Sequence, residues 1–250
     1  FYANETRLCG GDVPDAINRF TLYALFSTLT NVNFDESRFE AIVKQSKTYI
    51  DEMKSLYSKV AASKGLATKS PQKSKELPTP LPSLDGLVEL GRSVGVLNRF
   101  VDPATQNAAG VSEMVVYGLK GIAAYADHSL MNGKELPEIY EFIHRALSFM
   151  TSEEQYDLSK GLAFALEAGK INVSTMGLLY DSNASLGIPT PTTVPVKPSP
   201  GKSILVSGHD LIILKALLEK TEPLGINVFT HGEMLPAHSY PKLKAHTNLK

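Results

Sequence analysis

Residues 203–238 read SILVSGHDLIILKALLEKTEPLGINVFTHGEMLPAH, and the order of apolar runs and breaks in this stretch decides the fold. Ser203 to Ser207 is a short continuous apolar run of buried-strand type. Leu211 to Lys220 has helical periodicity, and Ile226 to Thr230 is a second strand-like run. Strand, helix and strand in succession form one β-α-β unit, which is parallel and right-handed, and ligands of such units gather beyond the carboxyl ends of the strands. Gly208-His209-Asp210 stands beyond the first strand. His231-Gly232-Glu233-Met234-Leu235-Pro236-Ala237-His238 stands beyond the second. The topology thus brings His209, His231, Glu233 and His238 toward one sheet edge, where imidazole and carboxylate together suit a transition metal or acid–base work. The plainer alternative is that these groups cap helices or bond loop backbone.

Upstream, the five prolines between Gly187 and Lys202 hold the chain extended and mark a boundary. Before them the pattern is helical throughout. Apolar residues from Phe20 to Tyr57 fit two helices broken at Thr30 to Asp35, with Asn33 or Asp35 able to cap the second. Ala61 to Pro82 is rich in Lys, Ser and Pro and reads as an exposed loop. Helices are expected at Gly86 to Val94, Val111 to Leu130, Glu138 to Met150 after Pro137, Glu153 to Ala168 ended by Gly169, and Asn172 to Asp181. Gly118 and Gly121 thin the Val111 to Leu130 helix, which suggests close approach of a neighbouring helix. The expected class is therefore α followed by α/β. A mostly helical, bundle-like domain covers 1–186, a Pro-rich linker 187–202, and the start of a Rossmann-like parallel β-α-β domain, incomplete and with open strand edges, 203–250.

Composition narrows the function. Twenty-five Lys and Arg oppose 26 Asp and Glu, for a net charge of −1, so no strong field gathers phosphates, and nucleic acid and anionic membranes are poor partners. No window approaches the roughly 18 to 20 apolar residues of a membrane span, and the N-terminus lacks a signal-peptide profile. A cytoplasmic protein is expected, or an organellar one in an anaerobic eukaryote. The single cysteine, Cys9, excludes an internal disulfide and a four-thiolate metal site built from this chain alone.

Sharper motifs fail on inspection. Gly201-Lys202-Ser203 lacks the upstream glycine of a phosphate loop and precedes a strand instead of following one. His231-Gly232-Glu233 has no P-C-x-x-C partner of the zinc deaminases, and Pro236 spoils an H-E-x-x-H helix. A zinc-dependent hydrolase using His209, His231, Glu233 and His238 remains an alternative, as does a non-enzymatic scaffold.

The run VSGHDLIILKALLEKTEPLGINVFTHGEMLPAHSYPKL from Val206 to Leu243 closely resembles the hybrid-cluster proteins, also called hydroxylamine reductases or prismane proteins. LFSTLTNVNFD at Leu25 to Asp35, YGLKGIAAYADH at Tyr117 to His128 and PTPTTVPVK at Pro189 to Lys197 support the match in the family's order. The resemblance covers essentially the whole chain. Carbon monoxide dehydrogenases share the general architecture, but this wording favours the hydroxylamine reductases.

The resemblance implies a three-domain enzyme with a 4Fe-4S cubane cluster and a hybrid iron–sulfur–oxygen cluster, reducing hydroxylamine, or nitric oxide, with electrons from a redox donor. It makes His209, of the G-H-D motif, and Glu233, of T-H-G-E-M, ligands of the hybrid cluster. His231 and His238 are candidate proton donors or partners that orient the ligands. The family's cubane cysteines fall upstream of Phe1, Cys9 matches none of them, and the remaining hybrid-cluster ligands fall downstream of Lys250. The expectation is an internal fragment of a larger reductase, inactive by itself.

Overall fold

A computed structural model describes residues 1–73, 76–98 and 102–250. The chain separates into two compact units, one of residues 1–127 and 136–176, the other of residues 128–135 and 177–250. It is mostly helical, with a small parallel sheet, as the sequence implied. Among the described residues no helix is long and apolar enough to cross a membrane.

The first unit begins with α1 (Tyr2–Leu8), which the sequence pattern did not reveal, and α2 (Asp15–Ser27). Next comes α3 (Glu36–Ser63). Asp35 caps α3 by accepting from the Ser37 amide at 2.9 Å and the Ser37 hydroxyl at 2.7 Å, and these bonds lower its carboxyl pKa. Met53, Tyr57 and Ala61 recur at four-residue spacing on α3 and form its buried face. Met53 joins Ala3, Val13 and Ile17 in one apolar cluster. The loop after α3 runs to α4 (Leu84–Val94), with Ser74 and Lys75 outside the described residues.

Two long helices, α5 (Gln106–Met131) and α7 (Leu158–Asn183), flank α6 (Pro137–Phe149) in sequence. Small residues bring α5 and α7 together. A Cβ on Gly118 would stand 3.4 Å from the Ala168 Cβ, and one on Gly161 would stand 3.0 Å from Val111. Gly121, in contrast, faces open space. Gly169 also has nothing near it and does not end a helix. Residues 153–156 form a separate 3-10 turn, and α7 runs unbroken through Gly169 to Asn183, where the sequence suggested two helices. A glycine costs only up to about 1 kcal/mol in a helix, and buried Ala168 and Ile171 on either side outweigh it.

A polar network is buried inside this unit. Arg7 donates to His144 Nδ1 and, at 2.8 Å, to Asn18 Oδ1, while His144 Nε2 lies 3.1 Å from the Thr21 hydroxyl.

In the second unit β1 (Ser203–Val206), α8 (Leu211–Thr221) and β2 (Asn227–Thr230) form the parallel β-α-β unit. Its core joins Leu211, Leu214 and Leu218 of α8 to Val228 of β2, Leu186, Met234, Ala237 and Leu243. The register pairs Ser203 with Asn227 and Val206 with Thr230, so both strands end level. The outer edge of β2 is bridged at one point: Leu249 pairs with Val228, through Val228 N to Asn248 O at 2.8 Å and Lys250 N to Val228 O at 2.9 Å. Glu222, at the far end of α8, anchors this last segment by accepting from His246 Nδ1 at 2.8 Å and the Thr247 amide at 2.7 Å. Those bonds, His246 foremost, push its carboxyl down to about 2.

Candidate functional site

The level strand ends set the site. His209 stands three residues beyond Val206 and Glu233 three residues beyond Thr230, so equal offsets from a paired register deliver an imidazole and a carboxylate to the same edge. Their side chains meet: His209 Nε2 lies 3.9 Å from Glu233 Oε2, with about half of the imidazole and three quarters of the carboxylate side chain exposed.

Local backbone aims both groups. Gly208 (φ +135°) precedes His209 and Gly232 (φ +57°) precedes Glu233; positive φ is accessible to glycine and strained for other residues. After His209 the chain is fixed at once, because an Asp210 carboxylate oxygen accepts from the Ile212 and Ile213 amides, each at 2.8 Å, and so caps α8. Asp210 is thereby engaged as a helix cap beside the pair.

The other two histidines occupy different settings. His231 is exposed, and its backbone N–H donates to Val206 O at 2.8 Å, adding one bond to the strand pairing. His238 is buried, its Nε2 2.9 Å from the Thr230 hydroxyl. Burial, helped by the nearby Lys244 charge, lowers its pKa and favours the neutral ring. Thr230 did not stand out in the sequence. Its signal was positional, as the last residue of the strand that feeds the loop.

Two donors that share one transition-metal ion sit about 2.1 Å from it, so they can be at most about 4.2 Å apart. At 3.9 Å, His209 and Glu233 fall inside that limit. A borderline nitrogen and a hard oxygen suit iron or zinc. Among the described residues no third His, Cys, Asp or Glu joins them, and Cys9 belongs to the first unit. The pair fits part of a metal site and cannot by itself hold a multi-iron core. The first unit also contains an apolar cavity of about 380 Å³ walled by Phe20, Tyr49, Ile50 and Met53. His144 lines it, but both ring nitrogens already face Arg7 and Thr21, which leaves that ring no free nitrogen for a ligand.

The fold and the pair define a class: a chain of helices followed in sequence by a parallel β-α-β unit that carries an imidazole and a carboxylate at its strand ends. The model of the Prismane/CO dehydrogenase family matches residues 3–249, and the chain belongs to that family. It is 43% identical over 249 residues to a hydroxylamine reductase of Burkholderia lata, covering 99% of this chain and 44% of that protein. It is 41% identical over 243 residues to one of Methanocella arvoryzae, covering 97% and 43%. For one of Geobacter metallireducens the identity is 38% over 251 residues, covering 99% and 45%. The chain thus spans less than half the length of these curated relatives.

Proposed function

We propose that this chain is the part of a hydroxylamine reductase that supplies His209 and Glu233 to a hybrid iron–sulfur–oxygen cluster. The observation that carries the reading is the 3.9 Å separation of His209 Nε2 and Glu233 Oε2 at the ends of two paired strands. Family membership and relatives named for this activity support it. When bound, such a cluster supplies electrons and an open iron for the substrate. Hydroxylamine takes up two electrons and two protons, its N–O bond breaks, and ammonia and water leave. Nitric oxide is the second substrate of this reading.

In it, His209 and Glu233 hold the iron with ligands harder than thiolate, which keeps that iron electrophilic and open to a small N–O molecule. His231, exposed next to Gly232, is the proton donor of this reading. The cysteine ligands of both clusters, including the 4Fe-4S cubane, come from other parts of the longer protein, and a separate redox protein delivers the electrons.

The test is substitution in the intact, iron-loaded protein. His209→Ala and Glu233→Gln should each abolish hydroxylamine reduction and alter the hybrid-cluster signal while sparing the cubane signal. Full activity in both variants, or zinc as the only metal in the purified protein, would end this reading.

A further inference from the structure

The carboxylate of Glu233 is exposed, and no side-chain hydrogen bond holds it among the described residues. Its place opposite His209 is therefore set by the backbone of the loop that carries it. That loop leaves β2 at Thr230 and returns to the core at His238. Four points fix it. The His231 amide bonds Val206 O, Met234 and Ala237 are buried in the α8 core, and His238 Nε2 meets the Thr230 hydroxyl at 2.9 Å. Gly232, Glu233 and Leu235 project between these points.

We infer that the Thr230–His238 hydrogen bond is a brace that positions Glu233 toward His209, which makes His238 a positioning residue and not a proton donor. The inference rests on the proposed role of Glu233 as a metal ligand. Three features carry it. The imidazole is buried, so protons have poor access to it. Its Nε2 is committed to Thr230, and that bond joins the residue entering the loop to the residue leaving it. An apolar side chain at 238 could fill the same space, but it would leave the Thr230 hydroxyl without this partner and the loop closed by packing alone. His209 has a counterpart of this arrangement, since it too follows a positive-φ glycine and precedes a fixed point, the Asp210 cap. Each donor thus stands between a flexible residue and an anchor, as groups around a metal ligand commonly orient it.

The experiment compares Thr230→Val, Thr230→Ser, His238→Phe and Glu233→Gln in the intact protein. Thr230→Val keeps the shape and deletes the hydroxyl; Thr230→Ser restores the hydroxyl. In the metal-free protein, amide hydrogen exchange at Gly232 to Met234 should rise about tenfold or more in Thr230→Val and His238→Phe, and return toward the parent rate in Thr230→Ser. In the iron-loaded protein, the same two variants should shift the hybrid-cluster signal toward that of Glu233→Gln. They should lower kcat by roughly 10- to 100-fold, the usual range for residues that orient a metal ligand, with a smaller change in KM. Parent exchange rates and a parent cluster signal in Thr230→Val would overturn the brace. If instead Glu233→Gln itself leaves the cluster signal unchanged, the ligand assignment fails, and the brace with it as a device for that ligand.

Discussion

Arg7 Nη1 stands 2.7 Å from His144 Nδ1 in the interior of the helical unit. A guanidinium cannot accept a hydrogen bond, so Nδ1 must, and the ring is neutral with its proton on Nε2, donated to Thr21. Burial first and the Arg7 charge second push the His144 pKa from 6.5 down to about 3.

That neutral ring ties stability to pH. Between about 3 and 6.5 the unfolded chain carries a proton on His144 that the folded chain does not, so stability rises with pH across the window. The His144 contribution is complete above pH 6.5 and is lost as pH falls toward 3, with a slope of up to roughly 1.4 kcal/mol per pH unit. Glu222 has the same sign in a lower window, between its usual 4.5 and about 2. Urea unfolding followed by helical circular dichroism should therefore show a shallower slope between pH 4.5 and 6 in His144→Gln, whatever that variant's absolute stability, because His238 still contributes with the same sign below 6.5. An undiminished slope there would falsify the buried neutral assignment.

Asp210 offers a local test of how the site is held. Removing the carboxylate that binds the Ile212 and Ile213 amides in Asp210→Ala should cost about 1 kcal/mol. It should also speed exchange of those two amides. Asp210→Asn, which still caps, should lose a few tenths of that. Equal losses in the two variants would mean that charge, not capping, is what Asp210 contributes.

The glycines of α7 should divide by their surroundings. Gly169 has open space where a Cβ would go, so Gly169→Ala should stabilise by about 0.5 to 1 kcal/mol from helix propensity. At Gly161 the new Cβ would sit 3.0 Å from Val111, and the same substitution should bring no gain or a loss. Thermal melts of the two variants decide it, and similar gains at both sites would show that α5 and α7 are packed more loosely than the distances indicate.

Ligand arithmetic gives the last prediction. After anaerobic reconstitution with iron and sulfide, this 250-residue chain should assemble neither cluster and should not turn over hydroxylamine, because a cubane ordinarily needs four thiolates and Cys9 is the only one here. A sample holding about four irons per chain and reducing hydroxylamine would defeat that count.

Much of this was legible in residue order. The strands around G-H-D and T-H-G-E-M follow from local chemistry, and so does a cap at Asn33 or Asp35, of which the fold uses Asp35. Gly118 and Gly121 both signal a close neighbour, and only Gly118 has one, Ala168. What escaped depends on partners far away in the chain. Gly169 reads as a stop until Ala168 and Ile171 are seen to be buried. Leu249 has no strand signature, because its pairing is a single bridge to Val228. His238 resembles His231 in sequence, and only the fold separates a ring sealed beside Thr230 from one at the surface.

The equal three-residue offsets of His209 and Glu233 carry an evolutionary consequence. The two side chains sit in separate turns whose lengths can change independently, while the strands beneath them share one register. Inserting a single residue between Val206 and His209 would displace the imidazole and leave the carboxylate where it is. Lineages free to drift in the helical unit should therefore hold the lengths of these two turns constant, and a coordinated length change in both is the one indel pattern that could preserve the pair.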